Sequence, residues 1–309
     1  MPGRQAAPSE PLLHEPAMVP QILELLRPAS GDIALDLTVG TGGHSLAFAA
    51  ALGPKGLLVG IDADPGALAV ARSRLEAAAE CPFQLFHARF GQAARVACEA
   101  GVASFNVALA DLGVGTHQLL QAARGFSFDS ESRLDMRYDA SAGPSAWDVV
   151  NTSSERELAD IFHQYGEERY SRQIAAAICR RRAEAPIETA AELADLIRSV
   201  AARRTPRGRT WRIHPATRSM MALRIFVNRE IEELQALLDV LPGLMGRGGR
   251  AAILTYHSLE ARCVKETWRR QAKEGVWEIL TPSPLKPGTE QVRGNPRIRS
   301  AQLRAARRL

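Results

Sequence analysis

The chain has 309 residues, 46% of them apolar and 24% charged, which is the balance of a folded globular protein and excludes a disordered or fibrous one. Its net charge of +5 is unevenly spread: residues 1–179 carry 13 Lys and Arg against 21 Asp and Glu, residues 180–309 carry 26 against 13. No apolar run approaches the roughly 18 to 20 residues that span a bilayer, and four scattered cysteines without a CxxC pair argue against a disulfide framework or zinc ribbon. The opening string MPGRQAAPSEPLL shows no secretory signal, so a reduced cytoplasmic protein that does not engage membranes is expected, with residues 1–13 a flexible N-terminus.

Strands and helices alternate from there. Ile33–Leu37 reads as a buried strand, followed by glycines and a helix-prone stretch over Ser45–Leu52. Leu57–Ile61 is a second strand, and Asp64-Pro65 opens the next helix with proline suited to a first turn. Phe83–His87 and Phe105–Ala110 are two further strands around a helix near Gln92–Ala100. This alternation predicts an α/β, Rossmann-like fold with a mostly parallel sheet. The pattern then stops for about a hundred residues. Ser154–Glu157 and Thr189–Glu192 are capping boxes, and Glu167–Arg182 reads as a helix between them. A helical block is thus expected between two strands, dividing the chain into residues 14–114, an inserted unit over 115–213 and a returning part over 214–309. Pro215 is expected to open one long helix carrying Val227, Ile231, Leu234, Leu238 and Leu241 on one face. Residues 246–249 read as a turn, Ala251–Tyr256 as the fifth strand and Ser300–Arg304 as a final edge strand.

The first strand runs into Asp36-Leu37-Thr38-Val39-Gly40-Thr41-Gly42-Gly43-His44. Glycines at a strand-to-helix turn let a ligand approach the backbone and the free N–H groups of the helix. A dinucleotide fingerprint needs Gly or Ala where Ser45 stands, so a nicotinamide oxidoreductase is disfavoured. An acid before the glycines suits the amino-acid end of S-adenosylmethionine, and Asp62 at the end of the second strand suits its ribose. Asp111 ends the fourth strand, so Asp36, Asp62 and Asp111 should surround one crevice. Seven histidines form no HxxxH pair or His/Cys cluster, so no metal is expected. His214-Pro215 and His257-Ser258 suit either helix caps or contacts with substrate.

Ten ordered strings now carry a resemblance: TVGTGGHS at 38–45, GIDADP at 60–65, DLGV at 111–114, RGFSF at 124–128, LDMR at 134–137, YGEER at 165–169, HPATR at 214–218, ALRIFVN at 222–228, HSLE at 257–260 and NPRIRSAQLR at 295–304. Together they resemble the small-subunit ribosomal RNA cytosine-N4 methyltransferases, the RsmH or MraW family, over about residues 15–307. The resemblance implies a class I S-adenosylmethionine-dependent methyltransferase acting on a cytosine of the ribosomal decoding centre, cytosine 1402. It places cofactor contacts on Gly42, Gly43, His44, Asp62, Phe90, Asp111 and Gln118, beside Asp36 from the loop argument. Phe90 suits an apolar wall for adenine or, equally, a core aromatic. Gly115-Thr116, Leu120, Ser219-Met220-Met221 and Ala261 depart from the family's pattern. The first three positions lie near the expected site mouth and keep open a divergent relative that binds ribosomal RNA as an assembly factor, or one that methylates a different cytosine. Oligomeric state stays open too, a homodimer included.

The cytosine amine is a poor nucleophile because its lone pair is delocalised into the ring, so transfer needs a positioned acceptor for its protons. Asp111 is the one strong acceptor in Asp111-Leu112-Gly113-Val114, a string without the prolines and aromatic that many amino-group methyltransferases place there. Asp111 is therefore the expected catalytic residue. Arginines crowd into residues 198–212 and 293–308, and no acid follows Glu290. Arg204, Arg207, Arg209, Arg218, Arg297, Arg299 and Arg304 are the candidate contacts to RNA phosphates, with a solvated helix face as the plainer alternative.

Overall fold

The computed structural model describes residues 16–113, 125–127, 131–204, 211 and 213–309. Strands β1 (Ile33–Asp36), β2 (Leu57–Asp62), β3 (Phe83–His87) and β4 (Phe105–Asp111) alternate with helices α2 (Gly43–Leu52), α3 (Pro65–Ala78) and α4 (Ala93–Glu99), as the sequence predicts. Helix α1 (Val19–Leu26) precedes them. Asp64 caps α3 by accepting the N–H groups of Gly66 and Ala67, and Pro65 fills the first helical position, where its missing N–H costs nothing. With β5 (Met245–Thr255), β6 (Trp277–Ile279) and β7 (Gln302–Arg308) the sheet has the order β3-β2-β1-β4-β5-β7-β6. Strands β1 to β5 pair in parallel, and β7 runs antiparallel to both its neighbours.

Alternate residues of each strand feed two different cores, the period-2 signature of a sheet covered on both faces. Ala34, Leu58, Val107, Leu109 and Leu254 join Met18, Ile22 and Phe48 on the α1/α2 face. Leu35, Val59, Ala108, Ala110 and Ile253 join Leu234, Leu238 and Trp268 on the other.

Between β4 and β5 the chain builds a separate helical core. Helices α5 (Ala146–Thr152), α6 (Glu155–Gly166), α7 (Ser171–Glu184), α8 (Ala190–Arg204) and α9 (Thr217–Asn228) bury Leu158, Phe162, Ile174, Ile178, Leu193, Ile197 and Leu223 against one another. Both predicted capping boxes form: Ser154 with Glu157, and Thr189 with Glu192.

Five expectations need correction. The single long helix is two, because Arg229 takes a left-handed conformation (φ 54°) between α9 and α10 (Glu230–Leu244). The apolar spacing runs on across the break, but Val227 packs in the helical core while Leu234 and Leu238 pack on the sheet. The expected boundary at 213/214 therefore cuts a packed unit, and we place the return to the sheet at Arg229. The helix expected from Glu167 begins at Ser171, because Glu167 is itself left-handed (φ 48°) and ends α6. The glycines of 246–249 lie inside β5 as a bulge, where the register shifts between the pairs Phe105/Met245 and Val107/Arg250 and Gly248 has φ +80°. The terminal strand is interior, and β6, too short to leave a periodic signal, forms the edge beyond it.

Candidate active site

The crevice lies at the carboxyl ends of β1, β2 and β4, three adjacent strands that bring Asp36, Asp62 and Asp111 together. Gly40 and Gly42 turn the chain with φ of 53° and 87°, conformations that cost a side-chain-bearing residue dearly. A Cβ on Gly42 would press on Ala71 at 3.3 Å, and one on Gly43 on Pro16 at 3.0 Å. Both glycines are thus needed for close packing at the mouth of α2. No side chain caps α2, so its first N–H groups face the turn uncapped.

Asp36 is fully buried beneath this turn. The Ser45 hydroxyl donates to its Oδ2 at 2.6 Å and the Thr38 N–H to its Oδ1 at 3.2 Å. Burial raises its pKa, with those two donors acting against the rise. Asp36 therefore braces the loop from below, and Ser45, the residue that breaks the dinucleotide fingerprint, is its partner.

Asp62 does for the front of the loop what Asp36 does for the base. Its Oδ2 accepts the Gly40 N–H at 2.7 Å and its Oδ1 the Asp64 N–H at 2.8 Å. Each oxygen keeps a further lone pair for a ribose hydroxyl. Burial pushes its pKa up to about 6.

Asp111 ends β4 with its side chain 20% exposed. Its N–H donates to Thr38 Oγ1 at 2.6 Å, which ties the fourth strand end to the glycine turn. His44, in the first turn of α2, places Nε2 3.4 Å from Asp111 Oδ2, within ion-pair distance. That nitrogen is buried and has no hydrogen-bond partner. Phe90 sits half-buried in a short 3-10 turn (Phe90–Gln92) against the sheet core, so it is both a core aromatic and a candidate wall.

The structure adds a residue that sequence reasoning passed over. Tyr256 directly follows β5, and its ring lies against Gly113, two residues past Asp111. Burial, then the Asp111 charge, hold its hydroxyl far above the ordinary tyrosine pKa. No local signal marks it, because its place beside Asp111 comes from the pairing of β4 with β5.

His257 and Ser258 prove structural. His257 is the N-cap of α11 (Ser258–Lys273), its Nδ1 accepting the Glu260 N–H at 3.4 Å, and Ser258 donates to Glu167 at 3.1 Å. His214 likewise accepts the Ala216 N–H through Nδ1. The cap reading holds for His257, whereas His214 braces the turn before α9, whose N-cap Ala216 has no side-chain cap.

Glu230, His257 and Glu260 are close enough to share a cation, their candidate ligand atoms within 4.8 Å of one another. Their carboxylates are already engaged. Glu230 takes Arg224 Nε and Nη2 at 2.8 and 2.9 Å and the Tyr138 hydroxyl at 2.8 Å. Glu260 Oε2 accepts the N–H groups of Tyr256 and His257. Burial opposes the Arg224 charge, but Glu230 and Tyr138 more than offset it and its pKa is raised. This network joins α9 to α10 and α11 at the junction of the helical unit with the sheet.

Of the arginine candidates, Arg218, Arg297 and Arg299 are exposed. Arg218 donates to the Glu167 carbonyl at the end of α6. Arg304 is half-buried on interior strand β7, its pKa lowered by burial and by Arg269, which makes it the poorest of the set for a phosphate. Gln118, Gly115, Thr116, Leu120, Arg207 and Arg209 lie outside the described residues, and so does the side chain of Arg204. Among the described residues no helix is long and apolar enough to cross a membrane.

Comparison with known proteins gives the family. The model of the MraW methylase family matches residues 11–309. Ribosomal RNA small subunit methyltransferase H of Acidobacterium capsulatum is 42% identical over 298 residues, covering 95% of this chain and 97% of that protein. The protein of the same name from Syntrophotalea carbinolica is 44% identical over 313 residues, covering 96% and 98%. Among solved structures, an rRNA methylase from Streptococcus thermophilus aligns with 97% of this chain and 99% of its own, at 12% identity and a TM-score of 0.40. With both the family match and these relatives spanning nearly its whole length, the chain belongs to the MraW methylase family of S-adenosylmethionine-dependent methyltransferases, whose Rossmann-like fold it carries.

Proposed function

We propose that the protein methylates the N4 amine of a cytosine in the decoding centre of small-subunit ribosomal RNA, cytosine 1402, with S-adenosylmethionine as donor. The observation that carries this reading is Asp111: a partly exposed carboxylate at the end of β4, tied through Thr38 to the glycine turn and standing beside His44. The family membership and the names of the relatives support ribosomal RNA as the substrate class.

The residues present fit the cofactor. The uncapped start of α2 and the positive-φ glycines offer backbone to its amino-acid end, His44 Nε2 is a buried nitrogen without a hydrogen-bond partner, and Asp62 faces the ribose position. Bound there, S-adenosylmethionine supplies an electrophilic methyl group. The protein's own part is to hold the amine in line and give its protons an acceptor. Asp111 performs that second role. A base within a folded junction reaches the crevice only when flipped out or already unpaired.

Tritiated methyl transfer to undermethylated small subunits tests the activity, and mapping N4-methylcytosine in a strain lacking the protein tests the target. Binding without transfer would instead mark an RNA-binding assembly factor.

Two expected results concern binding. Asp62→Ala weakens S-adenosylmethionine by about 1.5 to 3 kcal/mol, since hydrogen bonds to a charged acceptor are lost and the Gly40 N–H loses its anchor. Because the Asp62 pKa is raised to about 6 in the free protein, ionisation precedes tight ribose binding. Affinity therefore rises as pH goes from 5 to 7.5, and Asp62→Asn flattens that dependence; calorimetry at the two pH values checks both. For RNA, Ala at Arg204, Arg207 and Arg209, or at exposed Arg297 and Arg299, lowers the salt dependence of binding and leaves cofactor affinity unchanged. An unaltered salt slope would assign the altered cluster to solvent.

A further inference from the structure

The string after β4 has no aromatic residue, yet the structure puts an aromatic ring beside it from a different strand. Strands β4 and β5 pair in parallel, Asp111 opposite Leu254, so the residue two positions past Leu254 emerges next to the end of β4. That residue is Tyr256. One edge of its ring lies against Gly113: a Cβ added there would sit 2.8 Å from Cε2, 3.0 Å from Cζ and 3.3 Å from Cδ2. Asp111 is two residues before Gly113, so the ring stands beside the end of β4. Its backbone N–H is held by Glu260 Oε2 at 2.8 Å, and Glu260 is in turn buried within the first turn of α11. The backbone of Tyr256 is therefore anchored to α11, and its ring packs against Gly113.

We propose that Tyr256 is the positioning residue for the target base, a fixed aromatic wall on which the unpaired cytosine stacks with its exocyclic amine directed to Asp111. This rests on the reading of Asp111 as the amine acceptor. Gly113 is then glycine because the Tyr256 ring edge fills the space a side chain would need, and any larger residue pushes the ring away from the carboxylate. The ring and the carboxylate come from adjacent strands, so the parallel register of β4 and β5 sets their separation. The role belongs to the ring face and does not require the hydroxyl.

The inference separates ring from hydroxyl. Stacking of one base on an aromatic side chain supports a loss of about tenfold to a hundredfold when the ring is removed. Tyr256→Leu should therefore lower kcat/KM for small-subunit RNA by that factor, with S-adenosylmethionine affinity within twofold of the parent. Tyr256→Phe, which keeps the ring, should stay within about threefold and serves as the control for folding. A fluorescent cytosine analogue at the target position should be quenched on binding to the parent and to Tyr256→Phe, and not to Tyr256→Leu. Full kcat/KM or full quenching with Tyr256→Leu would overturn the proposal, as would equal losses in the Phe and Leu variants, which would mean that the hydroxyl alone matters. The Asp111→Ala variant separates the two readings: if it methylates normally, the acceptor assignment fails, whereas the quenching experiment still reports on the ring.

Discussion

Asp111→Ala is expected to abolish methylation, with turnover falling about 100- to 10,000-fold, the range for loss of a positioned acid–base group. Asp111→Asn keeps the shape and one acceptor oxygen and should retain a little activity. The environment sharpens this expectation. His44 Nε2 stands 3.4 Å from the carboxylate and the Gly113 N–H donates to Oδ1 at 3.4 Å, so the group is held in place and not free to swing. Single-turnover rates with saturating cofactor make the measurement. If Asp111→Ala raises only the KM for S-adenosylmethionine and leaves turnover intact, Asp111 is a cofactor ligand. His44 then becomes the next acceptor to test, because His257 and Ser258 are committed to the start of α11.

Glu230→Ala should be the most damaging substitution for stability outside the crevice. It removes both acceptors of the buried Arg224 guanidinium and the acceptor of the Tyr138 hydroxyl in one step. Breaking a buried pair by deleting one partner typically costs about 3 to 5 kcal/mol, because the remaining charge is left without compensation. The double variant Arg224→Met, Glu230→Leu removes both charges and should recover a large part of that loss. Urea unfolding of the three proteins decides the matter. A loss below about 1 kcal/mol in Glu230→Ala would mean that water reaches the pair and solvates Arg224.

Much of the sheet domain was legible in the sequence. The four N-terminal strands, the Pro65 helix start and the two capping boxes are local signals, written in period, proline placement and Ser/Thr-x-x-Glu spacing. The strand-end aspartates were legible for the same reason, since parallel topology sends each strand's carboxyl end to one side. What they bind was not. Asp36 turned out to hold Ser45 and Thr38, and no spacing rule distinguishes a loop brace from a ligand contact. The break at Arg229 was hidden because neither glycine nor proline marks it and the apolar spacing crosses it without a gap. The interior position of β7 was hidden as well: strand order is a long-range property, and β6 is three residues long. Tyr256 was missed because its importance comes from the β4–β5 register and not from its neighbours in sequence.

The place where the helical unit is spliced in has a consequence for how the chain folds. Asp111 and Leu254 are ladder partners, yet the whole helical unit lies between them in sequence. Closing that ladder in an unstructured chain carries the entropy of a very long loop, which grows only logarithmically, by about 0.6 kcal/mol per doubling of length. Assembly of the helical core beforehand shortens the effective loop to the span between its two ends, so the order of events matters more than the length. The half built from β1 to β4 has only local connections and can form early, whereas β5, β6 and β7 must wait for the chain to return. The edge of β4 that later meets β5 is consequently unpaired during that wait, when the chain is most prone to pair with the wrong partner.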